Sequence, residues 1–223
     1  MRKIIQLTLI VLCSIMFSSC FETVEEINLN SDGSGRMILT LNVSQSKAKV
    51  ASLMKLKTVN GYKVPSQQEI VAELNKTAVA LRNMPGISNV KTTNDFSNYI
   101  FTVSFDFKEV SNINTASTKI LQQYKIPAYN IARYQYNKAA KTFIKTYQLN
   151  PETKKQYMDL KQEDKEVFKN ALYTSVYRFD APVKAQTNKD AKLSGSKKAV
   201  MFRTAITNIV TYGTSVNNTI ILQ

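Results

Sequence analysis

The chain has 223 residues, with 30 Lys+Arg against 16 Asp+Glu, a formal charge of +14, two Cys, no His and no Trp. Its 43% apolar content is ample for a core, and only six Gly and five Pro exclude collagen-like and disordered classes. Without His the chain lacks the commonest general base and the commonest metal ligand, and with both Cys in the first 20 residues the body has no thiol chemistry.

Met1-Arg2-Lys3 is a short positive region, and Ile4 to Phe17 follows without a charge. That run is shorter than the roughly 20 residues a membrane helix needs, and it suits a signal-peptide core. Phe17-Ser18-Ser19-Cys20 places two small residues before a cysteine, the pattern of a bacterial lipobox with Phe where Leu is preferred. The expectation is a lipoprotein signal peptide over 1–19, lipidation at Cys20 with palmitate-type chains, and a single domain over 20–223, with a possible subdivision near 110–150. Two or three acyl chains give stable anchoring, since each buried CH₂ contributes about 0.8 kcal/mol.

Phe21 to Asn30 predicts a strand with Ile27 and Leu29 on one face. Asn30-Ser31-Asp32-Gly33-Ser34-Gly35 is a dense turn, and Met37, Leu39, Leu41 and Val43 alternate as a half-buried partner strand. A helix capped by Ser44 or Ser46 is expected to run to Leu56. A second starts at the capping box Ser66-Gln67-Gln68-Glu69, carries Ile70, Val71, Leu74, Ala78 and Leu81 on one face, and ends at Pro85-Gly86.

A short strand at Ile87 and Val90 and a turn at Asn94-Asp95 precede a strong strand. Its Tyr99, Phe101, Val103, Phe105 and Phe107 stripe reads as sheet core. Ser111 to Tyr124 reads as a helix, and 133–147 as a Tyr-rich hairpin around Asn137-Lys138. Pro151 starts a helix at its first position, and charged faces continue to 171. Leu172–Phe179, Ala199–Thr204 and Val216–Leu222 read as strands. The fold class is α+β: an antiparallel or mixed β-sheet with helices packed mainly on one face.

Two regions carry a resemblance. Cys20, the acidic strand with Glu22, Glu25 and Glu26, and the Asp32-Gly33-Ser34-Gly35 turn look like uncharacterised lipoproteins of the Bacteroidota. Pro182-Val183 through Asn188, Ser194-Gly195-Ser196 and Ala199-Val200-Met201-Phe202 are similar in layout to the LppM-like lipoprotein domain. The resemblance implies an envelope protein that handles lipid, and it supplies no catalytic residues.

Residues 111–150 hold six basic and no acidic residues, interleaved with Tyr. The expectation is a basic Tyr-rich face of Lys119, Lys125, Arg133, Tyr134, Tyr136, Lys138, Lys141 and Lys145, contacting anionic lipid or an acidic envelope protein. Export argues against nucleic acid as a partner. Tyr124, Tyr129, Phe143 and Tyr147 lie in the same stretch.

Enzymatic readings are weak. Ser44-Gln45-Ser46-Lys47 fits S-x-x-K by chance without its companion motifs. Glu25-Glu26 and Asp159 with Glu163 sit among Lys and polar residues and read as solvated faces. The sequence predicts no enzyme, no metal and no cofactor. The leading expectation is a lipid-anchored structural or interaction protein, placed in the outer membrane facing the periplasm. The alternative is a lipid or glycolipid binder with an apolar cavity between sheet and helices.

Overall fold

The structure is a computed structural model that describes residues 21–59, 61–126 and 131–223. The expected signal peptide over 1–19 and the expected lipidation site Cys20 lie outside the described residues. Strands β1 (Glu22–Leu29) and β2 (Gly35–Asn42) form the expected hairpin. Its turn spends the Asp32 carboxylate on the Ser34 N–H (2.9 Å) and hydroxyl (2.6 Å). Ser31 donates from its N–H and hydroxyl to Asp180, 2.9 and 2.7 Å away, which pins the turn to a distant loop.

The main sheet adds β5 (Ile87–Asp95), β6 (Ile100–Phe107), β9 (Leu172–Phe179), β11 (Lys192–Leu193) and β12 (Ala199–Ala205). Its order is β11-β12-β9-β1-β2-β6-β5, and only the β1–β9 pair is parallel. A second sheet has the order β10-β13-β8-β7, built from β7 (Arg133–Asn137), β8 (Thr142–Thr146), β10 (Val183–Gln186) and β13 (Asn218–Leu222). A small hairpin, β3 (Thr58–Val59) and β4 (Tyr62–Lys63), stands apart.

Helix α1 (Lys47–Leu53) follows a 3₁₀ turn at Ser44–Ser46, so the predicted 44–56 helix is shorter than expected. The β3–β4 hairpin takes the residues beyond it, turning at Gly61 with φ +83°. Helix α2 (Gln67–Arg82) begins at the predicted capping box, with Ser66 and Glu69 bonded reciprocally. Helix α3 (Ser111–Gln123) also matches its expectation.

The 151–171 stretch splits into α4 (Pro151–Asp159) and α5 (Gln162–Lys165), because Glu163 and Asp164 favour a new helix N-terminus there. Helix α6 (Ile206–Tyr212) was not foreseen. Its β-branched residues favour a strand, but Gly213 in the left-handed region (φ +71°) closes the turn on Asn208.

The rows across the main sheet define an inner face. One row runs Phe105–Met37–Ile27–Tyr177–Val200, and the next Val103–Leu39–Glu25–Ser175–Phe202. A third, at the chain's N-terminal end, is Phe101–Leu41–Thr23–Tyr173–Thr204. Helices α2 and α3 lie over the β2–β6 part of this face through Ala78, Leu81, Ile113 and Ala116. The second sheet covers the β1–β9 part, with the Phe143 ring 5.1 Å from Tyr177 and 5.8 Å from Phe179.

The opposite face is mixed, with Val24, Ile38, Val176 and Met201 among charged and hydroxyl residues. It is crossed by pairs between Arg36 and Asp106 (2.6 Å), Arg203 and Glu22 (3.1 Å), and Arg178 and Glu26. Such exposed pairs contribute little stability each. The two faces of one sheet therefore differ by residue parity alone.

Gly35 faces Leu29 and Phe107, and a Cβ there would lie 2.1 Å from the Asn28 carbonyl oxygen and 2.7 Å from Phe107 Cζ. Gly195 has no atom within 4 Å of such a Cβ. Gly35→Ala is expected to lower stability by more than about 2 kcal/mol and Gly195→Ala by less than about 0.5 kcal/mol, measured by urea unfolding. Similar losses from both would refute the close approach at Gly35.

Candidate functional site

The predicted basic face does not form one surface. On the β7–β8 hairpin, Tyr134 pairs with Lys145 and Tyr136 with Phe143, so these four share a side, and it is the inner one. Tyr134 is 3% exposed and Lys145 only 1%. Lys119, Lys125, Arg133, Lys138 and Lys141 are exposed, and Tyr136 is half-buried. Lys145 and Tyr134 are therefore corrected from surface contacts to core groups. The strand period puts them beside Phe143, toward the main sheet.

Glu25 needs the same correction. It shares parity with Ile27 and Leu29, so it points into the protein and not to a solvated face. Glu22 and Glu26 take the outer side and pair with Arg203 and Arg178. Asp159, Glu163 and Lys47 are exposed, as expected of solvated faces. Tyr99 sits in the left-handed region (φ 55°) before the strand, so the strand starts at Ile100 and its inward stripe at Phe101.

Glu25 and Lys145 meet between the sheets. The ammonium lies 3.1 Å from Oε1 and 3.4 Å from Oε2 and also contacts the Tyr173 hydroxyl. Tyr177 donates to Oε1 at 2.6 Å and Tyr173 to Oε2 at 3.0 Å. The ammonium also stands 4.7, 5.7 and 5.9 Å from the ring centroids of Tyr173, Tyr177 and Tyr134. A carboxylate has about four acceptor sites, and these donors fill them.

Burial pushes the Glu25 carboxyl up, but the Lys145 charge and the Tyr177 and Tyr134 hydroxyls outweigh it and hold the group below its ordinary 4.5. Burial draws the Lys145 ammonium below its ordinary 10.5, with Glu25 opposing. Burial, then the Glu25 charge, raises the phenols of Tyr134, Tyr173 and Tyr177 well above 10, so they serve as hydrogen-bond donors.

Three cavities line up along the inner face. One of about 340 Å³ lies under α2 and α3, lined by Met37, Leu81, Val103, Phe105, Ile113 and Ile120, with Glu25 and Tyr134 at its end. One of about 580 Å³ lies toward the N-terminal end of the sheet, between Leu41, Phe101 and the α2 residues Ile70 and Leu74. These two share Leu39, Thr77 and Val103. A third, of about 310 Å³, shares Glu25 and Ala132 with the first and Thr23 with the second. All fall in or near the range of small-molecule sites, about 300–1,000 Å³.

Tyr124 clasps the rim. Its hydroxyl is 2.8 Å from Glu73 Oε2 and 3.0 Å from Thr77 Oγ1, tying the end of α3 to α2. The inner face is left partly uncovered here: Leu39 is 39% and Leu41 42% exposed, although Met37 on the same side is 3% exposed.

No family model matches the chain, and no curated protein matches it by sequence. Among solved structures, it is similar to the NMR structure of the folded domain of the LppM protein from Mycobacterium tuberculosis. The identity is 11% and the TM-score 0.43, over 92% of this chain and 91% of that one. The site rests on its own geometry. Among the described residues no helix is long and apolar enough to cross a membrane.

Removing one member of the buried pair strands the other. Lys145→Met is expected to cost about 3–5 kcal/mol, and adding Glu25→Gln should restore most of that loss, read by urea unfolding. Additive losses would mean that the two groups act separately. The pH dependence follows from Glu25, whose folded value lies below its unfolded one. Its contribution is present in full above pH 4.5 and is lost as pH falls through the lowered folded value. The wild type should therefore lose stability more steeply than the double variant below pH 4.5.

Proposed function

We propose that the chain is a lipid-anchored cell-envelope protein, tethered through Cys20, that holds the acyl part of a lipid or glycolipid in the trough between its main sheet and α2–α3. The observation that carries this reading is the pair Leu39 and Leu41, apolar inner-face residues left about two-fifths exposed at the rim of adjacent apolar cavities that share Leu39, Thr77 and Val103. An apolar channel that reaches solvent is what an acyl chain needs and what a filled core lacks.

The position of the trough supports the same reading. Thr23 lines two of the cavities and stands three residues after Cys20. A tether at Cys20 would hold that end of the trough toward the bilayer. The basic residues that remain exposed, such as Lys119, Lys125 and Arg133, would contribute about 1 kcal/mol each against an anionic leaflet. They steer approach and do not form the binding surface.

An interaction role built on one basic, Tyr-rich face has less support, since Tyr134 and Lys145 are interior. The reading assigns no reaction. It keeps the outer membrane facing the periplasm as the location, because Glu22, Glu25 and Glu26 are spaced more loosely than a tight surface-export cluster.

Cys20→Ala should abolish labelling by palmitate and leave uncleaved precursor. Normal labelling would remove the anchor. For the trough, Leu41→Asn should sharply reduce lipid co-purifying with the protein in native mass spectrometry. Met201→Asn should not, although Met201 is equally exposed at 40%, because it lies on the outer face. Equal retention by both variants would exclude the trough.

A further inference from the structure

Glu25 stands between two compartments of the trough and lines both. On the α2–α3 side the lining is mostly apolar, with Thr77, Ser117 and Tyr134 as its polar members beside Glu25. On the other side, the cavity of about 310 Å³ has one apolar wall, of Ile206, Ile209, Val210 and Val216. Its other wall presents Thr23, Lys145, Tyr147 and Tyr173 around Glu25.

The charged groups of this wall are already matched. Glu25 and Lys145 are its only ionisable acid and amine, and each faces the other at 3.1 Å. A phosphate brought against Lys145 would also meet the Glu25 carboxylate, and a cation brought against Glu25 would meet the ammonium. Either would lose its water without gaining a free counter-charge. Uncommitted hydroxyls remain. Among the described residues the Thr23 and Tyr147 hydroxyls have no hydrogen-bond partner, and Tyr147 is half-buried. The Tyr173 oxygen is held in place by Lys145 and Glu25.

We infer that this compartment is a headgroup subsite for an uncharged, hydroxyl-bearing lipid, such as a glyceride or a glycosyl lipid, whose chain lies in the apolar compartments. The inference rests on the acyl-binding reading above and adds a choice of head to it. Hydroxyls of the ligand can donate to and accept from Tyr147 and Thr23, and the closed Glu25–Lys145 pair sets the penalty against a charged head. The subsite thereby acts by exclusion as much as by attraction.

The test uses the purified full-length chain and three probes sharing one saturated chain: hexadecane, monopalmitoylglycerol and palmitoyl lysophosphatidic acid. Each is presented below its aggregation threshold and followed by equilibrium dialysis. Monopalmitoylglycerol should bind at least about tenfold more tightly than the lysophosphatidic acid. Tyr147→Phe removes one oxygen and no protein hydrogen bond, so the fold is kept. It should weaken monopalmitoylglycerol about fivefold and leave hexadecane unchanged. Equal or tighter binding of the lysophosphatidic acid, or indifference of monopalmitoylglycerol to Tyr147→Phe, overturns the headgroup subsite while hexadecane binding preserves the trough. Failure of all three probes to bind overturns both.

Discussion

The contact between Glu25 and Lys145 holds the two sheets in one arrangement. The carboxylate comes from the central strand β1 and the ammonium from β8, 120 positions away in sequence. Tyr173 and Tyr177 come from β9, whose register with β1 places them on either side of Glu25. An ion pair removed from water is stable only when its remaining valences are met, and here the Tyr173 and Tyr177 phenols meet them. Any slip of β8 against the main sheet by one residue would put Ile144 or Thr146 where the ammonium stands and leave the carboxylate without its charge partner. The pair thus fixes register as well as spacing.

Much of the fold was legible from local signals. The strands 22–29, 35–42, 100–107 and 172–179, the capping box at Ser66 and the α3 boundaries all followed from period and punctuation. What was missed depends on tertiary contacts. Helix α6 is written in β-branched residues and forms because its Ile209 and Val210 side meets the interior. The second sheet joins the hairpin at 133–146 to two strands beyond residue 182, and no local pattern reports such a pairing.

The site was partly legible too. Glu25 has the parity of Ile27 and Leu29, and Lys145 the parity of Phe143, so strict counting along each strand puts both inside. Reading charge by segment hid this, because it treats every Lys and Glu as solvated. The basic, Tyr-rich composition of 111–150 was real, but the strand period divides it. Tyr134, Tyr136 and Lys145 face inward, and Arg133 is left outside. The cavities were legible only as a class of possibility. The gap under α2 exists because small or short side chains, Thr77 and Ala116 among them, stand where a tight core would place larger ones.

The parallel pairing of β1 with β9 has a mechanical consequence. The strand nearest Cys20 is central: β2 bonds one side of it and β9 the other, each over eight residues. A pull entering at residue 21 runs along that strand and loads both ladders in shear, so their bonds must yield together. A tether on an edge strand such as β5 or β11 would instead be peeled one bond at a time. The tether proposed at Cys20 would therefore pull on a strand bonded along both sides rather than on an edge.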